Sequence, residues 1–493
     1  MQEGAVPEPS VVHRFTMATE LSHAQLLNFP KFIRENMAFG QLPGIKMAGL
    51  EAIASSKGHY MEFKSGPERG TYECYVRVFL ERPMQVEIRS SMGRDGAFEK
   101  QLENVLLMVV QFYEEEARSS TLYVAFLPGS PRTARLGRST SLFRALFSGN
   151  MMTLFLLSIM IGLVVYAVMQ VIGLTTYAPL AMISVMLLLV LSAGRLSTLR
   201  SPWRITPEAR EVVIVQHQVP QGMLQMYIGE FRDRIAAAKQ SVYDTFRDRP
   251  SDLSSDKVAE VFAKAGLPAK PEDFLVKRVD VYSIVESVAR KYNMSVPAIA
   301  ISQDARPNAA ATGFTKRLAT VIITMGLLVQ LEKEEIEVVV GHELSHLRSG
   351  DPVVLFSLIT VEYLVRVYFF WEYIIAVPGL WIVYIFGIFW LIFFFGKFLE
   401  TRADLEAALV LGRPKVMAES LKKIGFRRLV LSERFLEPRT SRLNEWLRFD
   451  AHPPLYFRIQ RLESLDLADP PKHRFWDSVR AVFTGMAGSR KAI

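Results

Sequence analysis

Charged residues vanish from one long stretch of this chain and thin out in a second, and those apolar stretches organise everything else. Between Arg144 and Arg195 there is neither a charged residue nor a histidine. One membrane crossing needs about 20 apolar residues, so this stretch is long enough for two. Glycine and proline interrupt it between Gly173 and Pro179, which predicts two spans and a turn over residues 145–194. A second apolar stretch covers 352–397, divided by Glu372 and closed by Lys397, and predicts another pair of spans. Glu362 and Arg366 lie four residues apart inside it and are expected to pair, because an unpaired charge at that depth is costly.

Outside these stretches the pattern is that of α+β protein in water. Residues 1–140 read as an N-terminal α+β domain, with a helix at LSHAQLLNFPKFI and alternating strands at TYECYVRVFL, QVEIRS and TLYVAFL. Residues 205–278 read as a linker and helical region with a strand at EVVIVQ. A second globular unit occupies 279–351: a helix through SIVESVARKYN, strands at PAIAIS and ATVIITMG, then a helix EEIEVVVGHELSHLRSG. Glu334 and Glu335 suit that last helix's N-terminus, and Gly350 with Pro352 marks its stop. The unit resumes over 398–470, mostly helical, before a polar tail at 471–493.

Composition agrees with this mixture. Of the 493 residues 50% are hydrophobic and 22% charged, which excludes both a wholly soluble and a wholly buried chain. The net charge of +8 need not imply nucleic acid, because arginines flank the apolar stretches: Arg132, Arg135, Arg138 and Arg144 before the first, Arg195, Arg200 and Arg204 after it. Arg348 precedes the second stretch, and Lys397 and Arg402 follow it. Positive flanks face the cytosol, so the expected arrangement puts every soluble domain there, with no nucleic-acid partner. The single cysteine, Cys74, excludes an intrachain disulfide and suits a reducing compartment. The first 30 residues carry Glu3, Glu8, His13 and Glu20 without an apolar run, so the internal spans are expected to direct the chain to the membrane.

The chemistry lies in His342-Glu343-Leu344-Ser345-His346. In this H-E-x-x-H sequence two imidazoles share one face of a helix, one turn apart, with the glutamate beside them as candidate general base. The flanking Val338, Val339, Val340, Leu344 and Leu347 argue for a buried helix, where histidines without partners would cost free energy. A catalytic zinc wants three protein ligands and one open position, so a third must come from elsewhere. Glu400-Thr401-Arg402-Ala403-Asp404 follows the second apolar stretch and offers an i,i+4 carboxylate pair: Glu400 as ligand, Asp404 to orient a histidine ring. Read alone, the same charges would merely solvate a helix leaving the membrane.

Taken together, GHELSHLRSGDP, ETRAD and the pair of spans between them resemble the HtpX-type membrane zinc peptidases, relatives of the CAAX prenyl endopeptidases. The likeness runs from about Val279 to Leu465. It implies a zincin-like, mostly helical peptidase domain with a small sheet, within an α+β membrane protein of about four transmembrane helices in two hairpins. It also implies one zinc per chain. NAAATG resembles the family's segment before its substrate-binding edge strand, which would put Asn308, Ala309 and Thr312 at the substrate and the edge at about Ala319–Met325. His452-Pro453-Pro454 with Arg458 resembles the family's transition-state element. The implied activity is endopeptidase quality control of membrane or misfolded proteins at the cytosolic face of the cell membrane, with protein substrates and the lipid bilayer as partners. A CAAX-type processing peptidase and a non-catalytic metal-bearing holdase are the alternatives.

Overall fold

The computed structural model describes residues 11–17, 19, 21–36, 45–55, 58–67, 74–90, 97–119, 121–128, 151–200, 203–219, 223, 226–227, 229–247, 249–313, 319–425 and 440–490. They fall into two compact units, one of Met1–Gly129 with Val212–Arg278, the other of Ser130–Glu211 with Val279–Ile493.

The first unit begins with β1 (Val11–Met17), α1 (His23–Asn36), β2 (Ile45–Ser55), β3 (Gly58–Pro67), β4 (Cys74–Phe79), β5 (Met84–Ser90) and α2 (Ala97–Ser119). The strands form one antiparallel sheet in the order β1-β5-β4-β3-β2. Alternation does the folding here: Cys74, Val76 and Val78 of β4 and Met84, Val86 and Ile88 of β5 are buried with Phe29 of α1 and Leu106 of α2. The next strand, β6 (Thr121–Phe126), lies outside this sheet. It pairs antiparallel with a strand some ninety positions away, introduced below.

Two apolar helices follow, α3 (Met151–Val171) and α4 (Ala178–Arg200), joined through Gly173 in the left-handed conformation at φ 75°. Then come β7 (Trp203–Ile205) and β8 (Glu211–Gln218), the partner of β6. The stretch read as a linker and helical region continues with α5 (Arg232–Phe246), α6 (Ser255–Lys264) and β9 (Phe274–Asp280). The sheet β6-β8-β9 and these helices bury Phe126, Val213, Val215, Val242 and Phe262 in one core.

The second unit continues with α7 (Val281–Lys291), β10 (Ala298–Ser302), β11 (Ala309–Thr312), β12 (Thr320–Thr324), α8 (Met325–Gln330) and α9 (Lys333–Ser349). Its sheet order is β11-β12-β10-β7. This corrects the expected edge. β12 is interior, parallel to β10 and antiparallel to β11, and Val321 and Ile323 are fully buried; among the described residues the outer strands are β7 and, on the side of β12, β11.

The chain then runs through α10 (Asp351–Val365), a π-helical turn Arg366–Phe370, α11 (Trp371–Ala376) and the long α12 (Leu380–Leu411). It does not turn at Glu372. Gly379, at φ 80°, takes the left-handed conformation that a glutamate would adopt only with strain. Glu362 accepts hydrogen bonds from Arg366 Nε at 2.8 Å and from the Tyr384 hydroxyl at 2.6 Å, so the charge inside the apolar stretch has two partners. Among the described residues, Asp351–Phe370 and Leu380–Leu411 are long and apolar enough to cross a membrane, while Met160–Val171 and Thr175–Leu188 are shorter apolar helices. Arg132, Arg135, Arg138 and Arg144 lie outside the described residues. Helices α13 (Pro414–Ile424), α14 (Thr440–Leu447), α15 (Leu455–Glu463) and α16 (Arg474–Arg490) complete the unit.

Candidate metal centre

Helix α9 is held at both ends. The Glu335 carboxylate reaches back to accept from the Glu332 N–H at 2.9 Å, and Lys423 of α13 pairs with Glu335 at 2.7 Å. At the other end Gly350, φ 72°, breaks the helix and starts α10 at once. Between them the i,i+4 spacing sets His342 and His346 side by side, 3.2 Å apart at their Nε2 atoms. The opposing wall is α12. A Cβ at Gly341 would stand 2.6 Å from Leu411 Cδ1, the tip of a flexible side chain, and 3.8 Å from Ala407 Cβ, so α12 packs directly on this face of α9.

That approach delivers Glu400. Its Oε2 lies 3.3 Å from His342 Nε2 and its Oε1 3.4 Å from His346 Nε2. Two ligands bonded to zinc at about 2.0–2.1 Å in a tetrahedron stand about 3.3–3.4 Å apart, and each of these three contacts is close to that spacing, the two to Glu400 being made through its two different oxygens. The donor set, two imidazoles and a carboxylate with atoms within 4.8 Å of one another, can hold a metal ion. Glu400 Oε2 is also buried without an aligned hydrogen bond, as a ligand atom would be.

Each histidine turns its other nitrogen to a carboxylate. His342 Nδ1 is 2.9 Å from Asp404 Oδ1, in contact though off the hydrogen-bonding direction. His346 Nδ1 is 2.6 Å from Asp351 Oδ2. Arginines back both acids: Arg402 donates to Asp351 Oδ2 at 2.7 Å, and Arg458 donates to both Asp404 oxygens at 2.7 Å. Sequence reasoning missed Asp351 and Arg402. The only signal was that Asp351 follows Gly350, whose left-handed turn folds the chain back onto the last turn of α9. Arg458 is buried with its guanidinium on Asp404, while Glu463 pairs with Lys422 and Asp450 with His452.

The open side faces β11 and His452. Glu343 Oε2 accepts from the Ala311 N–H at 2.8 Å, and burial pushes the Glu343 carboxyl pKa up. His452 is half exposed, with Nδ1 2.9 Å from Asp450 Oδ1 and Nε2 3.6 Å from Glu400 Oε2. Along β11 the main chain alternates. Asn308 binds Thr324 through both its N–H and its C=O, so Asn308, Ala310 and Thr312 turn their main chain toward β12 while Ala309 and Ala311 turn theirs outward. Of the three residues expected at the substrate, only Ala309 presents its main chain on the open edge.

Residues 276–466 match peptidase family M48. This chain carries an HtpX-type M48 peptidase domain. It is 29% identical over 243 residues to a protease HtpX homolog of Thermoanaerobacter pseudethanolicus, covering 43% of this chain and 79% of that relative. A protease HtpX homolog of Listeria monocytogenes is 28% identical over 221 residues, covering 37% and 73%. One of Methanothermobacter thermautotrophicus is 30% identical over 155 residues, covering 30% and 59%.

The M48 domain therefore contains the whole His342–His346–Glu400 cluster, β11 and His452, and it leaves the first compact unit almost entirely outside the match. Burial disfavours charge on the two HtpX-domain histidines, yet Asp404 and Glu400 raise His342 to about 9, and Asp351 and Glu400 raise His346 to about 10. The carboxylates that hold these protons on the imidazoles would serve equally to balance a dication that displaced them.

Proposed function

We propose that this chain is a zinc-dependent endopeptidase, held in the cell membrane by four spans in two hairpins, that cuts membrane or misfolded proteins at the cytosolic face. The observation that carries this reading is the convergence of His342, His346 and Glu400, which bring one donor atom each within 4.8 Å of one another, two imidazoles and a carboxylate suited to one tetrahedral ion. One zinc bound there would acidify a water molecule and polarise the scissile carbonyl. Glu343 takes the proton of the attacking water and returns it to the leaving amine, so no covalent intermediate is needed. His452, with Nδ1 held by Asp450, turns Nε2 toward the developing oxyanion. Arg458 stands beside it, 3.7 Å from Glu400 Oε2, while its main bond fixes Asp404. An extended substrate adds to the β11 edge at Ala309, with the Asn308 and Thr312 side chains flanking it.

Residues 1–140 and 205–278 serve this reading as a cytosolic accessory part. Its first test is cleavage of a generic unfolded protein by the purified full chain. Chelation should abolish cleavage and zinc restore it; cleavage that persists without metal sinks the reading. Orientation is tested separately by cysteines introduced at exposed Thr176 and Lys472 in intact cells. An impermeant reagent should label the first and spare the second, and the reverse pattern rejects the arrangement.

A further inference from the structure

Two segments outside the spans carry three large apolar side chains in a place where water is not the expected solvent. Leu447 is 41% exposed, Phe449 44% and Phe483 49%. Single exposed apolar groups are ordinary on a soluble protein. Their level along α12 is not ordinary. The Phe449 ring lies 6.0 Å from the ring of Phe386 and 6.1 Å from that of Phe393, hence between the two. At about 1.5 Å per residue, Phe386 stands about 16 Å and Phe393 about 6 Å from Lys397 toward the apolar end of α12, which places Phe449 roughly 11 Å beyond Lys397. The apolar run from Leu380 to Gly396 is itself only about 25 Å long, and a hydrocarbon core is about 30 Å thick. A membrane covering that run must therefore also cover Phe449.

The loop is built to sit there. A Cβ at Gly396 would come within 2.9 Å of Ala451 Cβ, so a glycine lets residues 448–451 close against α12. Lys397, 1% exposed, donates to the Arg448 carbonyl at 3.3 Å and to the Asp450 carbonyl, so loop and ammonium satisfy one another in a medium that would satisfy neither. Helix α16 adds the other side. It runs antiparallel to α12, with Arg474 3.4 Å from Glu406 and the Phe483 ring 5.8 Å from Phe394 and 5.6 Å from Phe398. From Ala481 to Ser489 it carries no charge, and Arg480 and Arg490 bracket that stretch.

We propose that Leu447, Phe449 and Phe483 form a collar around α12 that is immersed in the acyl chains of the leaflet next to the metal centre. The partner is the hydrocarbon of the bilayer, argued from continuity with the exposed apolar surface of α12. The collar rests on the reading of α12 as a membrane span. Its consequence is that Glu400, about 5 Å past Lys397, lies at headgroup level, so a polypeptide reaching the cluster approaches through the headgroup layer.

The test uses the full chain with Cys74→Ala in phospholipid nanodiscs, spin-labelled through one introduced cysteine at a time at Leu447, Phe449 or Phe483. Val383, 68% exposed on α12, is the lipid reference, and exposed Lys472 is the water reference. Power saturation compares collisions with oxygen, which concentrates in lipid, and with a nickel chelate, which stays in water. The three collar labels should match Val383, with oxygen collisions in excess. Collar labels that match Lys472 while Val383 reports lipid overturn the collar and leave the span standing. A Val383 label that reports water overturns both. Should the label at Phe449 disturb the loop, Leu447 and Phe483 decide the matter independently.

Discussion

Asp351→Asn is the substitution whose effect the geometry specifies most fully. One oxygen of Asp351 serves two donors, His346 Nδ1 at 2.6 Å and Arg402 Nη2 at 2.7 Å. An asparagine keeps the shape and one acceptor oxygen. It loses the charge that holds the proton on Nδ1 and so leaves Nε2 free to bind metal. Removing such an outer partner typically weakens metal binding 10- to 100-fold, about 1.4–2.7 kcal/mol. Asp351→Ala goes further, because Arg402 is buried and would lose its only carboxylate partner among the described contacts; breaking such a pair costs about 3–5 kcal/mol of stability. The two variants therefore separate. Chelator competition on the purified protein should show weaker zinc binding in Asp351→Asn with a melting temperature, measured without metal, close to wild type, and a lowered melting temperature in Asp351→Ala. If Asp351→Asn binds zinc within twofold of wild type, the carboxylate does not orient His346 and the argument is wrong.

Glu343→Gln should retain zinc and lose at least about 100-fold in turnover, since an amide cannot accept the water proton; zinc content and peptide hydrolysis measured on one preparation check it, and wild-type turnover would remove Glu343 from the role of base. His452→Ala should lower turnover about 100- to 1,000-fold with zinc stoichiometry unchanged, whereas loss of zinc would recast this residue as a ligand or a structural element. In the first unit, buried His217 stacks on Phe274 at 4.4 Å, and burial lowers its pKa from 6.5 to about 4. The neutral ring favours the fold, so its stability is complete above about pH 6.5 and erodes as pH falls toward 4, by up to about 3 kcal/mol. Replacing it by phenylalanine should flatten that slope in thermal melts between pH 6.5 and 4; an unchanged slope assigns the acid sensitivity elsewhere.

What the sequence determined by itself is what short-range geometry controls. An advance of about 100° per residue puts His342 and His346 on one helix face and Glu400 and Asp404 on one face of another, whatever the rest of the chain does. Length and apolarity mark 145–194 and 352–397 as membrane stretches without reference to any partner, while the helix bounds Asp351–Phe370 and Leu380–Leu411 come from the structure. The pairing of Glu362 with Arg366 follows from the same four-residue spacing, but its third member, Tyr384, belongs to the next helix and could not be read. Strand partners are non-local, and there the sequence was silent. TLYVAFL alternates equally well for either sheet, and it joins β8 because Phe126 completes a core with Val213, Val215 and Phe262. The edge position of β11 has the same origin: AAAT and TVIIT are both strand-like, and only the parallel pairing of β12 with β10 leaves β11 outermost. The outer partners of the metal centre fall between the two cases. Asp351 is near His346 in sequence, yet a carboxylate after a helix reads as the start of the next one, and the left-handed turn at Gly350 together with Arg402 on α12 is what aims it at the ring.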